Sequence, residues 1–124
     1  SARGRRLLVV DDNVDAADSL AEALRMMGHQ VTVYHTPLEV LAPGLDLRAI
    51  DAAILDIGLP GMSGYELAVR LRQAHPGASC RFIALTGYGQ QEDRARSSAA
   101  GFDSHMVKPV DLEALERLIG SCDL

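Results

Sequence analysis

The chain has no tryptophan, and aromatic residues make up only 4% of its 124 positions. It carries 2 cysteines, Cys80 and Cys122, too few for a disulfide framework or a cysteine-based zinc site. Cys80 opens an apolar stretch and reads as a small buried side chain. A reducing, cytoplasmic compartment is the default expectation. No apolar run approaches the roughly 18 residues that a membrane-spanning helix needs. The run Leu7–Val10, behind a basic start, is too short for a signal peptide. Basic charge is in deficit, with 17 acidic residues against 12 basic ones and a net charge of −5. That argues against nucleic-acid binding, although Arg3, Arg5 and Arg6 cluster near the start. Lysine is nearly absent as well: all the cations but Lys108 are arginine. Such a bias fits a GC-rich source, and it leaves the single retained ammonium in want of a reason.

A hydrophobic content of 48% beside 23% charged residues excludes a disordered chain. The length suits one core rather than two. We assign 1–124 to a single domain with its core at about 5–121; residues 1–4 read as a linker or a cloning remnant.

Short apolar runs alternate with longer amphipathic ones, and nothing repeats. Leu7–Val10 is continuously apolar and ends in Asp11-Asp12, as a strand covered on both faces would. Val14–Met27 has helical spacing and stops at Gly28. His29–Tyr34 is β-branched and strand-like. Thr36-Pro37-Leu38-Glu39 is a capping box with proline at the first helical position, opening a helix that is short or interrupted at Pro43-Gly44. Ala52–Leu55 ends in Asp56, and Ile57–Gly64 is a glycine- and proline-rich loop before a helix over Tyr65–His75. Arg81–Leu85 is a strand ending in Thr86, followed by a Gly87-Tyr88-Gly89 loop and a helix over Gln90–Ala100 with only alanines for an apolar face. Asp103–Val107 is a last strand ending in Lys108-Pro109, and Leu112, Leu115, Leu118 and Ile119 line a final helix.

Five successive βα units predict an α/β fold, a doubly wound parallel sheet with helices on both faces. Order 2-1-3-4-5 fits this size best. A dinucleotide-binding half would need a glycine-rich turn after strand one, where this chain has Asp-Asp-Asn. Sites in such sheets form at the carboxyl ends of the strands. There the sequence places Asp11, Asp12, Asp56, Thr86 and Lys108. Taken singly, each has an ordinary reading: Asp11-Asp12 as a helix cap, Asp56 as a loop carboxylate, Thr86 as a cap, Lys108 as a solvated charge. Taken together, three carboxylates at one edge need compensation. Two unit charges about 4 Å apart cost about 4 kcal/mol at an effective dielectric of 20. One lysine and one hard divalent cation, Mg²⁺, would supply it, and both suit phosphoryl chemistry.

The motifs Val9–Asn13 (VVDDN), Leu55–Gly64 (LDIGLPGMSG), Ala84–Gly87 (ALTG) and Lys108-Pro109 come in this order along nearly the whole chain. On these motifs the chain resembles the receiver domain of two-component response regulators, most of all receivers attached to hybrid sensor histidine kinases. The resemblance implies a phospho-acceptor with self-dephosphorylation rather than a turnover enzyme, taking its phosphoryl group from a histidine kinase or a histidine phosphotransfer protein. It implies Asp56 as acceptor, Asp12 as a direct Mg²⁺ ligand, Asp11 acting mainly through metal-bound water, and the Gly58 carbonyl as a further ligand. Lys108 would pair with phosphoryl oxygens, Thr86 would bond one of them after transfer, and Lys108–Pro109 would be a cis peptide. The face formed by residues 87–108 would move on phosphorylation. His105 stands where the family usually has tyrosine or phenylalanine as a rotating switch. It could rotate likewise, add pH dependence, or be a plain strand residue. Gly58 and Tyr88 also depart from the commonest pattern near the acceptor.

Two other classes compete. A phosphohydrolase of the haloacid dehalogenase type needs an aspartate two residues after its nucleophile, where this chain has Gly58. A receiver-like interaction module that is never phosphorylated would not need the complete set of acids, threonine and lysine.

Overall fold

The computed structural model describes residues 4–87 and 94–120. Five parallel strands, β1 (Arg6–Val10), β2 (Gln30–Tyr34), β3 (Ala52–Asp56), β4 (Arg81–Thr86) and β5 (Ser104–Val107), form one sheet in the order β2-β1-β3-β4-β5. The helices are α1 (Val14–Met26), α2 (Pro37–Leu41), α3 (Gly64–Ala74), α4 (Arg94–Ala100) and α5 (Leu112–Gly120). Central strands are apolar on both faces because both faces are covered. Every residue of β3 is buried, as are Leu7–Val10 of β1 and Phe82–Thr86 of β4. The flanking strands β2 and β5 are only partly buried.

Side chains alternate across the sheet. Leu8, Val10, Ala53, Leu55, Phe82 and Ala84 pack with Val40 of α2 and with Leu67, Ala68 and Leu71 of α3. Leu7, Val9, Ala52, Ile54, Ile83 and Leu85 pack on the other face with Ala17 and Leu24 of α1 and with Leu115 and Ile119 of α5. Cys80 is buried; Cys122, Tyr88, Gly89 and the 90–93 part of the expected fourth helix lie outside the described residues.

Local chemistry sets the helix ends. Asn13 is the N-cap of α1, its side chain accepting from the Ala16 N–H at 3.1 Å, so the capping reading of Asp11-Asp12 does not hold. At the other end Gly28 adopts φ +98°. The His29 and Gly28 amides donate back to Leu24 and Arg25 carbonyls, closing a Schellman turn that glycine adopts at low cost. The capping box at Thr36 and Glu39 is formed, and α2 is indeed short. A 3₁₀ turn at Leu47–Ala49, capped by Asp46, follows it; its three residues carry no periodicity that a sequence reading could detect.

His29 lies just before β2 and is buried rather than forming part of the strand. Its Nδ1 accepts from the Arg5 N–H at 3.0 Å. Its Nε2 therefore carries the ring proton and donates to the Glu116 carboxylate at 2.9 Å. Through His29, which is 87 residues from Glu116 in the chain, this ties α5 to the residue before β1.

Helix α3 begins at Gly64, one residue earlier than the spacing predicts, because Ser63 caps it by accepting from the Glu66 N–H. Gly64 also closes the loop that leaves Asp56. A β-carbon there would lie 2.5 Å from the Asp56 carbonyl oxygen and 2.6 Å from the Ile57 Cα. Both obstacles are backbone, so a side chain cannot be accommodated by a rotamer change. Gly64→Ala is therefore expected to lower stability by about 2 kcal/mol or more, read as a lower urea midpoint at unchanged slope. A midpoint equal to that of the unsubstituted protein would contradict this packing.

Candidate functional site

The strand register assembles the site. Val10 pairs with Leu55 across β1 and β3, and Asp56 pairs with Leu85 across β3 and β4. Asp11, just past β1, and Asp56, the last residue of β3, thus meet at one edge. Carboxylate oxygens of Asp11, Asp12 and Asp56 all lie within 4.8 Å of one another. Asp11 and Asp56 are buried and Asp12 is exposed.

Each buried carboxylate is held at both oxygens. Asp56 Oδ1 accepts from the Gly58 N–H at 2.9 Å, and Oδ2 accepts from Lys108 Nζ at 3.1 Å. Asp11 Oδ1 accepts from the Asn13 N–H at 3.0 Å, and Oδ2 lies 2.9 Å from the same Lys108 Nζ. The ammonium therefore bridges the two buried acids. Lys108 reaches them from the end of β5, where its N–H donates to the Thr86 carbonyl and its peptide bond to Pro109 is cis.

Burial is the largest influence on Asp56 and raises its pKa; the Gly58 N–H and Lys108 oppose it, and the Asp11 charge adds to the rise. Burial also works against the Lys108 ammonium, but its bonds to Asp11 and Asp56 outweigh that and raise its pKa.

Of the residues singled out from the sequence, Asp11, Asp12, Asp56 and Lys108 converge, with the Gly58 backbone beside them. Thr86 is buried at the end of β4, and its hydroxyl donates to the Met106 carbonyl at 3.4 Å. His105 is not part of the acidic cluster. Its neighbour Met106 packs on the α1 and α5 side, and the His105 ring meets the Ser97 hydroxyl of α4 on the other. Ser97 is fully buried, so α4 meets β5 through a buried polar contact.

Sequence reasoning passed over His35. It follows β2 directly, and β2 neighbours β1, so the rule that brought the aspartates to this edge places His35 there too. Its Nδ1 lies 3.1 Å from the Asp11 carbonyl oxygen.

The model of the response regulator receiver domain family matches residues 7–120. The chain is 37% identical over 113 residues to an uncharacterized 14.6 kDa protein in the sodA1 3′ region of Leptolyngbya boryana, covering 91% of this chain and 86% of that one. It is 35% identical over 117 residues to the virulence sensor protein BvgS of Bordetella pertussis, covering 90% of this chain but only 9% of that protein. Its structure also matches that of the receiver domain of sensor histidine kinase PA1611 from Pseudomonas aeruginosa PAO1, with a TM-score of 0.79 at 26% identity over 96% of this chain and 97% of that one. That crystal structure carries a magnesium ion coordinated in its active-site cleft. Sequence, sheet order and the acidic edge agree, and the chain belongs to the response regulator receiver domain family of two-component systems.

Proposed function

We propose that this domain is the phospho-acceptor of a two-component phosphorelay and that Asp56 takes the phosphoryl group. The observation that supports this most is the one ammonium shared by Asp56 and Asp11 within the acidic cluster. The donor is a phosphohistidine on a histidine kinase or histidine phosphotransfer protein. An Asp56 carboxylate oxygen attacks phosphorus, an O–P bond forms as the N–P bond breaks, and the departing imidazole keeps the electron pair. The Gly58 N–H holds one Asp56 oxygen in place during attack, and Lys108 follows the negative charge onto the phosphoryl oxygens.

The donor set consists of hard carboxylate oxygens, which fits Mg²⁺. Asp11, Asp12 and Asp56, with the Gly58 carbonyl, would hold it. When bound, Mg²⁺ neutralises phosphoryl oxygens and orients them. Thr86 then turns its hydroxyl from the Met106 carbonyl to a phosphoryl oxygen, and the described part of the 87–108 surface, 87 and 94–108, adjusts, with His105 carrying the change to α4 through Ser97; residues 88–93 of that surface lie outside the described residues. A groove of about 330 Å³ beside Asp11 and Lys108, lined by Ala16, Leu20, Val110 and Leu112 among others, offers a partner a mostly apolar seat next to the acceptor. The likeness to sensor proteins supports a parent chain of the hybrid histidine kinase kind, with this domain in the cytoplasm. Among the described residues no helix is long and apolar enough to cross a membrane.

Incubation with acetyl phosphate and Mg²⁺ is expected to add one phosphoryl group by intact mass. Chelation or Asp56→Asn should abolish the gain; an equal gain in the variant would refute the assignment of Asp56.

Charge crowding gives a second test. Without metal, Asp56→Asn removes one of three neighbouring negative charges and should raise the melting temperature by about 3 °C, on the order of 1 kcal/mol. Saturating Mg²⁺ should stabilise the unsubstituted protein by up to about 2.7 kcal/mol at a hundredfold excess over its dissociation constant, and the variant far less. A melting temperature indifferent to millimolar Mg²⁺ would favour a module that is not phosphorylated.

A further inference from the structure

We propose that His35 is a positioning residue for the acidic cluster, setting the plane of the Asp11–Asp12 peptide and thereby the aim of the Asp12 carboxylate. This rests on the reading of the cluster as a Mg²⁺ site and adds a residue to it.

A carbonyl oxygen can only accept, so the 3.1 Å contact between the His35 ring and the Asp11 carbonyl requires the proton on Nδ1. The Asp11 carbonyl belongs to the peptide unit that leads into Asp12. On the preceding unit, the Asp11 N–H donates to the Tyr34 carbonyl at 3.2 Å. Both peptide units that flank the Asp11 α-carbon are thus fixed from the end of β2, one by the strand and one by the imidazole. The Asp11 side chain is fixed separately by the Asn13 N–H and Lys108. Asp12 is exposed, and its backbone sets where the Cβ points, from which its carboxylate swings toward the cluster. That backbone begins with the peptide plane that His35 holds.

His35 is itself held. Its N–H donates to Glu39 Oε1 at 3.1 Å, and the Thr36 N–H donates to the same oxygen at 3.1 Å. These bonds hold the Glu39 carboxyl below its ordinary pKa, so it is an ionised acceptor at neutral pH. The capping box that starts α2 therefore also orients the residue that faces Asp11. The second ring nitrogen, Nε2, lies 3.7 Å from Asp18 Oδ1 on α1, which places the ring between two elements without a short bond at that end.

The two nitrogens make the proposal separable from a general packing role. Asparagine places an N–H donor where Nδ1 stands, glutamine places one nearer Nε2, and leucine offers none. We would measure Mg²⁺ affinity by calorimetry for the unsubstituted protein, His35→Asn, His35→Gln and His35→Leu. In the metal-free proteins we would also record the amide resonance of Asp12, which shares the peptide unit in question. The expected result is a Mg²⁺ affinity about tenfold weaker in His35→Gln and His35→Leu and within about twofold of the unsubstituted protein in His35→Asn. The Asp12 amide should shift in the first two and be restored in the third. Equal affinities in all four proteins, or asparagine behaving like leucine, would overturn the role of Nδ1 while leaving the Mg²⁺ site intact. Failure of the unsubstituted protein to bind Mg²⁺ would instead overturn the functional reading, and this proposal with it.

Discussion

Three carboxylates at one end of a sheet, with one ammonium between two of them, is the arrangement on which the other features depend. Two of the acids are buried, where water screens their repulsion poorly. Lys108 offsets part of it by sitting within 3.1 Å of both, and backbone N–H groups of Gly58 and Asn13 take one oxygen from each. The cluster remains under-compensated, with three formal negative charges against one positive. Such a site gains from a divalent cation and discourages any rearrangement that would move the lysine away without one. It also accounts for the retention of one lysine in a chain otherwise furnished with arginine. A compact ammonium fits between two carboxylates at a point, whereas the planar guanidinium fork prefers one carboxylate held with two parallel bonds.

That arrangement survives only if strand register is fixed. A slip of one residue in β1 or β3 would send its apolar side chains to opposite faces and carry Asp11 or Asp56 out of the cluster. Here both faces of the central strands are packed, so alternation alone does not select the register. Size and shape do: Leu8, Val10 and Leu55 meet α3 and α2, whereas Leu7, Val9 and Ile54 meet α1 and α5. Gly64, whose missing side chain leaves room for the Asp56 carbonyl and the Ile57 Cα, lets the loop that leaves Asp56 close tightly, and within that loop the Gly58 N–H donates to Asp56 Oδ1.

Much of this was legible in the amino-acid order. Continuous apolar runs ending in acids, threonine or lysine marked the four strands that carry the site. The rule that sites lie at the carboxyl ends of parallel strands then brought Asp11, Asp12, Asp56, Thr86 and Lys108 to one edge. Features that depend on one side chain meeting a distant backbone group were not legible. The spacing cannot show that His29 reaches Glu116, because either residue is an ordinary surface type and the contact exists only once α5 has packed. Ser97 lies on a helix whose only expected apolar face is alanine, and its contact with His105 exists only once β5 has packed beside α4. His35 could have been found by applying the strand-end rule to β2 as well as to the other strands. It escaped because an imidazole acting through a backbone carbonyl leaves no motif.

The sheet is also unequal in how firmly its two sides are held. On the β2 side, His29, His35 and the capping box fasten loops and helix to strands through charged or ring-nitrogen hydrogen bonds. On the β5 side, the described part of α4 buries Ser97 and Ala100 and little else. Its neighbour Phe102 is packed edge-on to Tyr65 at 6.0 Å, and Arg72 stacks over Phe82 while reaching the Gly101 carbonyl. What separates the two sides is apolar burial: Val40 of α2 is buried in the core, whereas Ala100 is the one buried apolar residue in the described part of α4. On the proposed reading, a phosphoryl group on Asp56 would bring about −1.5 to −2 charge and fresh acceptor oxygens to the strand edge where the Thr86 hydroxyl donates to a β5 carbonyl. Trading that bond for one to the phosphoryl group would free the Met106 carbonyl next to His105, whose ring meets Ser97. A locally underpacked element joined to the site by two exchangeable hydrogen bonds is the kind that opens at low free energy. On the proposed reading, the β5 and α4 side, where the described part of α4 buries little, is the one that phosphorylation of Asp56 would move.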